Sequence, residues 1–89
     1  MKVAATPALR VRVLLFASYA DSAGNGEMEL TAPAPATVAD VVRQVRASLP
    51  GGERIPPRPL VARNRVHASL EDAVSDGDEI AILPPMAGG

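Results

Sequence analysis

The sequence has 89 residues, 47% apolar and 21% charged, which suits one compact domain and is too short for two independent cores. Its net charge of −1 excludes the basic stripe that nucleic acid or an anionic membrane surface demands. With no cysteine and a single histidine, His67, the chain can form neither a disulfide framework nor a thiolate metal site, and no metal centre is expected.

Residues 1–8 lack periodicity and include Pro7, so they are expected to be a flexible N-terminal extension. From Leu9 the pattern alternates. Leu9, Val11, Val13 and Leu15 face one way and Arg10, Arg12, Leu14 and Phe16 the other, as in a strand with one core face. Leu14 and Phe16 lie on the otherwise polar face, either as a buried edge of the core or as a docking patch. The apolar run Val13 to Ala17 is shorter than the roughly 7 to 15 residues of a secretory signal. No stretch reaches the ~20 apolar residues of a membrane span, and a cytoplasmic protein is expected.

Ala17 to Ala23 reads as a short helical turn stopped by Gly24-Asn25-Gly26, and Glu27 to Thr31 as a strand with Met28 and Leu30 inward, antiparallel to the first. Ala32-Pro33-Ala34-Pro35 lacks regular backbone donors and reads as a linker. The clearest helix follows. Thr37 is placed to be its N-cap, Asp40 completes a capping box, and Val38, Val41, Val42, Val45 and Leu49 share one face. Four valines make it a weak helix in isolation, since β-branching costs a few tenths of a kcal/mol per residue. It needs a sheet to pack on.

Pro50-Gly51-Gly52 ends the helix, and residues 53–59 read as a proline-rich loop. Leu60 to Arg63 and Val66 to Leu70 are expected strands about an Asn64-Arg65 turn. Asp76-Gly77-Asp78 marks a turn into the last strand, Glu79 to Leu83, in which Ile80 and Ile82 alternate against Ala81 and Leu83. The acidic residues Glu71, Asp72, Asp76, Asp78 and Glu79 are expected at a solvated edge, and His67 on a surface strand. Tyr19 and Phe16 are the only aromatics, so the core must be aliphatic and stability modest.

A hairpin, a helix, then strands ending beside the first is the order of an α+β fold of the β-grasp type, a mixed sheet wrapped around one main helix. Residues 9–83 would form it and residues 84–89 an extended tail. Pro84-Pro85 forms a stiff stalk without internal hydrogen bonds, and six residues extend to roughly 20 Å. Gly88 and Gly89, lacking Cβ atoms, suit a channel too narrow for side chains and leave the terminal carboxylate open to attack. A carboxylate is a poor electrophile and needs activation, most naturally as an acyl-adenylate.

The segment Asp76-Gly77-Asp78-Glu79-Ile80-Ala81-Ile82-Leu83-Pro84-Pro85-Met86-Ala87-Gly88-Gly89 resembles the C-terminal signature of the molybdopterin synthase small-subunit family, and Val11 to Ala17 is similar to that family's first strand. The resemblance implies that Gly89 is adenylated by a ubiquitin-activating-type enzyme using ATP and sulfurated to a thiocarboxylate. The tail then enters the synthase large subunit, in an expected heterotetramer, and donates sulfur for the molybdopterin dithiolene. On that reading Gly88 permits threading, while Pro84, Pro85, Met86 and Ala87 contact the channel mouth. The only prosthetic feature is the covalent sulfur, and the chain is not an enzyme by itself. Sulfur carriers of thiamine or cysteine synthesis share the fold and the Gly-Gly end, and a ubiquitin-like protein modifier is the other reading.

Overall fold

The computed structural model describes residues 8–85. In chain order these are β1 (Ala8–Leu15), α1 (Ala17–Ala23), β2 (Glu27–Pro33), β3 (Ala36–Thr37), α2 (Val38–Ser48), a 3-10 turn (Gly52–Arg54), β4 (Leu60–Arg63), β5 (Val66–Ala68), β6 (Ala73–Val74) and β7 (Glu79–Leu83). Five strands form one mixed sheet in the order β2-β1-β7-β4-β5. β7 runs parallel to β1, and the remaining pairs in that sheet are antiparallel. This is the β-grasp, with α2 held against one face.

The core follows from the two periodicities. Val11, Val13, Ile80, Ile82 and Val61 project from alternate positions of β1, β7 and β4, and meet Val38, Val41, Val42 and Val45 of α2. All nine are at most 1% exposed, and each such burial contributes about 1.5–3 kcal/mol, which outweighs the poor helix propensity of the valines. Tyr19 of α1 joins this cluster, whereas Phe16 does not.

Two regions differ from the sequence reading. β2 continues through Ala32 and Pro33, where a linker was expected, with Leu9 opposite Ala32 and Ala8 opposite Pro33. Proline is tolerated there because it ends an edge strand at a position facing away from β1. That free edge is blunted elsewhere too: the Gln44 side-chain amide donates to the Thr31 carbonyl at 3.0 Å, and the Glu27 amide donates to Asn25 Oδ1 at 3.1 Å.

β5 ends at Ala68, two residues before the expected limit, and the chain then forms β6. β6 pairs with β3 as a separate two-stranded ribbon, Ala36 opposite Val74 and Thr37 opposite Ala73. Short ladders of this kind leave no periodic trace in a sequence. This one orients α2, because the amides of Val38 and Ala39 donate to the carbonyls of Asp72 and Leu70, both at 2.9 Å. Two N–H groups that a helix start leaves unpaired are thereby satisfied.

The capping box forms as expected: the Asp40 amide donates to Thr37 Oγ1 at 3.3 Å and the Thr37 amide to Asp40 Oδ2 at 2.8 Å. Thr37→Ala is expected to cost about 1 kcal/mol, which a thermal melt reads as a fall of about 4–8 °C for a domain of this size. At the other end of α2, a Cβ on Gly52 would strike the Arg46 carbonyl. Gly52 therefore permits close packing as well as stopping the helix.

Candidate functional site

β7 lies at the centre of the sheet, and its end determines where the following residues leave the domain. Ile82 is opposite Leu15 of β1, and Leu83 is opposite Leu60 of β4. Pro84 and Pro85 follow outside any strand. Neither has an N–H to continue the ladder, so the chain is released at the sheet end between β1 and β4. Pro84 is half-buried and Pro85 exposed. Met86, Ala87, Gly88 and Gly89 lie outside the described residues.

The start of β7 is pinned on both sides. On the β1 side, the Arg12 amide donates to the Asp78 carbonyl at 2.9 Å, the Gly77 amide to the Arg10 carbonyl at 2.7 Å, and the Arg10 amide to Asp76 Oδ1 at 2.7 Å. Gly77 has φ +88°, a left-handed conformation that glycine adopts without steric cost.

On the β4 side, Asp78 departs from the solvated edge expected of it and is 7% exposed. Its carboxylate accepts from Arg63 Nε at 2.6 Å, Asn64 Nδ2 at 3.0 Å and the Ser75 amide at 2.7 Å. Burial acts to raise its pKa, but the hydrogen bonds from Asn64, Ser75 and Arg63 outweigh that and hold it below the ordinary 3.8. Asn64 also accepts from the Glu79 amide at 2.9 Å, and its own amide donates to the Glu79 carbonyl at 2.8 Å. A one-residue slip of β7 would reverse its faces, and these bonds oppose it.

The sheet face away from α2 divides into two halves. Near the start of β7 it is charged: Arg12 pairs with Glu27 at 3.2 Å and Arg65 approaches Glu79 at 3.9 Å. Near the end of β7 it is apolar. Leu14 is opposite Ala81, which is opposite Ala62, and the next row holds Leu83 beside Leu60. Phe16 continues β1 in extended conformation, with φ −127° and ψ 154°. Phe16 and Leu60 are each 45% exposed, and neither joins the core cluster. Of the expected patch, Leu14 is half-buried and Phe16 open.

Leu60, Ala62, Ala81 and Leu83 join the patch only through register. The alternation of β7 placed Ala81 and Leu83 opposite the isoleucines, but nothing in the sequence set β4 next to them. A groove of about 490 Å³, lined by Ala32, Pro33, Ala36, Gln44 and Ala47 among others, lies at the opposite pole, beside the start of β1. His67 is exposed on β5, and among the described residues no three His, Cys, Asp or Glu residues could hold a metal ion.

A β-grasp domain whose last central strand delivers a proline stalk beside an apolar sheet face is a protein of the ubiquitin-like class. Within that class the chain belongs to the ThiS family, whose sequence profile matches residues 13–89. It is 31% identical to the molybdopterin synthase sulfur carrier subunit of Chlamydomonas reinhardtii, over 91% of this chain and 100% of that protein. The corresponding protein of Arabidopsis thaliana is 27% identical over 94% of this chain and 88% of its own length. In structure the chain resembles SAMP1 from Haloferax volcanii, with TM-score 0.80 and 31% identity over 90% of this chain and 99% of that one.

Proposed function

We propose that this protein is the sulfur-carrier small subunit of molybdopterin synthase and that its working group is the Gly89 carboxylate. The observation that carries the reading is the position of the β7 end. It brings Pro84 and Pro85 out at the middle of the sheet, beside an apolar surface, and in a chain of this family Met86-Ala87-Gly88-Gly89 follow them in sequence. A partner gripping that surface receives the tail in its own active site, and the prolines reduce the entropy lost on ordering it.

The chemistry is supplied by partners. A ubiquitin-activating-type enzyme joins the carboxylate to the α-phosphorus of ATP, releasing pyrophosphate. A sulfur nucleophile then displaces AMP from the acyl carbon, and the resulting thiocarboxylate transfers sulfur inside the synthase large subunit, in a heterotetramer. The chain itself binds no cofactor, is not an enzyme alone, and works in the cytoplasm where ATP is available. Likeness to SAMP1, a small archaeal modifier protein by name, favours a second reading, ligation of Gly89 to other proteins.

Incubation with ATP, a sulfur source and cell extract, followed by a thiol-alkylating reagent and fragment mass spectrometry, tests the carrier reading. The chain contains no cysteine, so an alkyl group at Gly89 reports a terminal thiocarboxylate. Intact mass alone does not suffice, because exchanging oxygen for sulfur is nearly isobaric with oxidising one of the three methionines. An unmodified Gly89 in an extract that sulfurates a control carrier overturns the proposal.

Docking makes its own prediction. Phe16→Asp or Leu60→Asp places a charge at an exposed point of the patch, so stability should change by about 0.5 kcal/mol or less. Binding to the large subunit is expected to weaken by about 30-fold, the loss of one anchor worth ~2 kcal/mol, which calorimetry reads directly.

A further inference from the structure

Among the described residues, three that are not glycine adopt positive φ: Ala17 at +52°, Asn64 at +52° and Arg65 at +71°. Asn64 and Arg65 are the two-residue loop between Arg63 and Val66, which face each other across the β4–β5 hairpin, and a tight hairpin of that length favours positive φ at both loop positions. Ala17 has no such reason. It follows Phe16, which is extended, and a Cβ makes the left-handed conformation costly where glycine would take it freely. Ala17 is exposed, so burial of its methyl group does not offset that cost.

The flanking residues show what holds the strained turn in place. Leu15 is in the core, and its amide donates to the Gly26 carbonyl at 2.9 Å. Tyr19 is 7% exposed in the same core, and its amide donates to the Phe16 carbonyl at 3.1 Å. Gly24 then ends α1, its amide donating to the Ala20 and Asp21 carbonyls. Between two anchored residues the chain has to leave Phe16 on the outer face of the sheet and return to the interior three residues later. A residue with a Cβ has few backbone basins, and the left-handed one closes this span. Glycine adds the mirror-image extended region, so the stretch from Leu15 to Tyr19 can close in more than one way, each aiming Phe16 differently.

We propose that Ala17 is a positioning residue for docking: its methyl group restricts the backbone so that Phe16 is held ready for the apolar surface of the large subunit. This rests on the docking patch proposed above and explains why alanine stands where glycine would be less strained. The strain in the free protein is offset at binding, because a side chain already in its bound orientation loses less entropy.

Melts and calorimetry on the full chain test this, with the purified synthase large subunit as the probe. Ala17→Gly is expected to melt at or above the wild-type temperature and yet to bind about fivefold more weakly, the cost of ordering one side chain at an interface, with the loss appearing in the binding entropy. In a Phe16→Ala background, Ala17→Gly should weaken binding no further, because the residue acts through Phe16 alone. Wild-type affinity in Ala17→Gly, an undiminished loss in the Phe16→Ala background, or a lowered melting temperature in Ala17→Gly overturns the proposal and leaves the patch standing. Wild-type affinity in Phe16→Ala by itself removes Phe16 from the docking patch, and this inference falls with it.

Discussion

A chain lacking Gly88 and Gly89 is expected to melt as the full-length protein does and to acquire no thiocarboxylate. The body should be indifferent because the ladder ends at Leu83 and, among the described residues, none beyond Ile82 is part of the core cluster. The chemistry should disappear because the new terminus, Ala87, reaches about 7 Å less far at ~3.3–3.6 Å per residue. On the proposed reading it would also present a Cβ to a channel that admits only glycine. A loss of reactivity this complete, without loss of fold, distinguishes a reactive end from an inert one. Melting temperature and the alkylation assay read the two halves, and sulfuration of the shortened chain would show that the Gly-Gly end is dispensable.

The second large effect is expected at Asp78. Asp78→Ala removes a carboxylate that accepts three hydrogen bonds and leaves the Ser75 amide, Asn64 and Arg63 without their partner. Bonds to a charged group contribute about 1.5–3 kcal/mol each, but the total is less than their sum. The Arg63 side chain is 35% exposed and can turn to water. A net loss of about 2–3 kcal/mol at ~4–8 °C per kcal/mol lowers the melting temperature by about 10–20 °C. A change of only a degree or two would show that the Asp78 network does not hold β7.

The same carboxylate makes stability depend on acid. The folded Asp78 binds its proton more weakly than the unfolded chain does, against the ordinary 3.8. Its contribution is therefore fully present above about pH 5 and lost as pH falls past 3.8 toward the folded value. Asp40 acts in the same direction, held low first by the Thr37 amide and further by Arg43. Melts from pH 6 to pH 2.5 should show wild type losing stability below about pH 4. Asp78→Ala should lose less over the same range, and parallel curves would refute the assignment to Asp78.

The legibility of this protein differs by element. Helix α2 could be read to its cap, because Thr37, Asp40 and the valine spacing are local and each acts within one or two turns. Strands β1 and β7 were legible from alternation, and their adjacency in a mixed sheet from the fold class that the element order suggested; that they run parallel is seen only in the structure. The β3–β6 ribbon and the full extent of β2 were not. Two-residue ladders have no period, and the prolines of residues 32–35 argued against a strand that in fact ends at Pro33. Asp78 was misplaced at a solvated edge because its partners Arg63 and Asn64 lie on another hairpin.

The sequence alone therefore determined the residue types at the end of the chain: the Pro-Pro and Gly-Gly steps, and the absence of any thiol. These are properties of residue type and position, and folding does not alter them. The tertiary structure decided where that tail leaves and what surrounds the exit, since these depend on which strands become neighbours. Leu60, Leu83, Ala81 and Ala62 form one patch with Leu14 and Phe16 only because register brings β4, β7 and β1 side by side, and register is set by long-range hydrogen bonds such as those to Asp78.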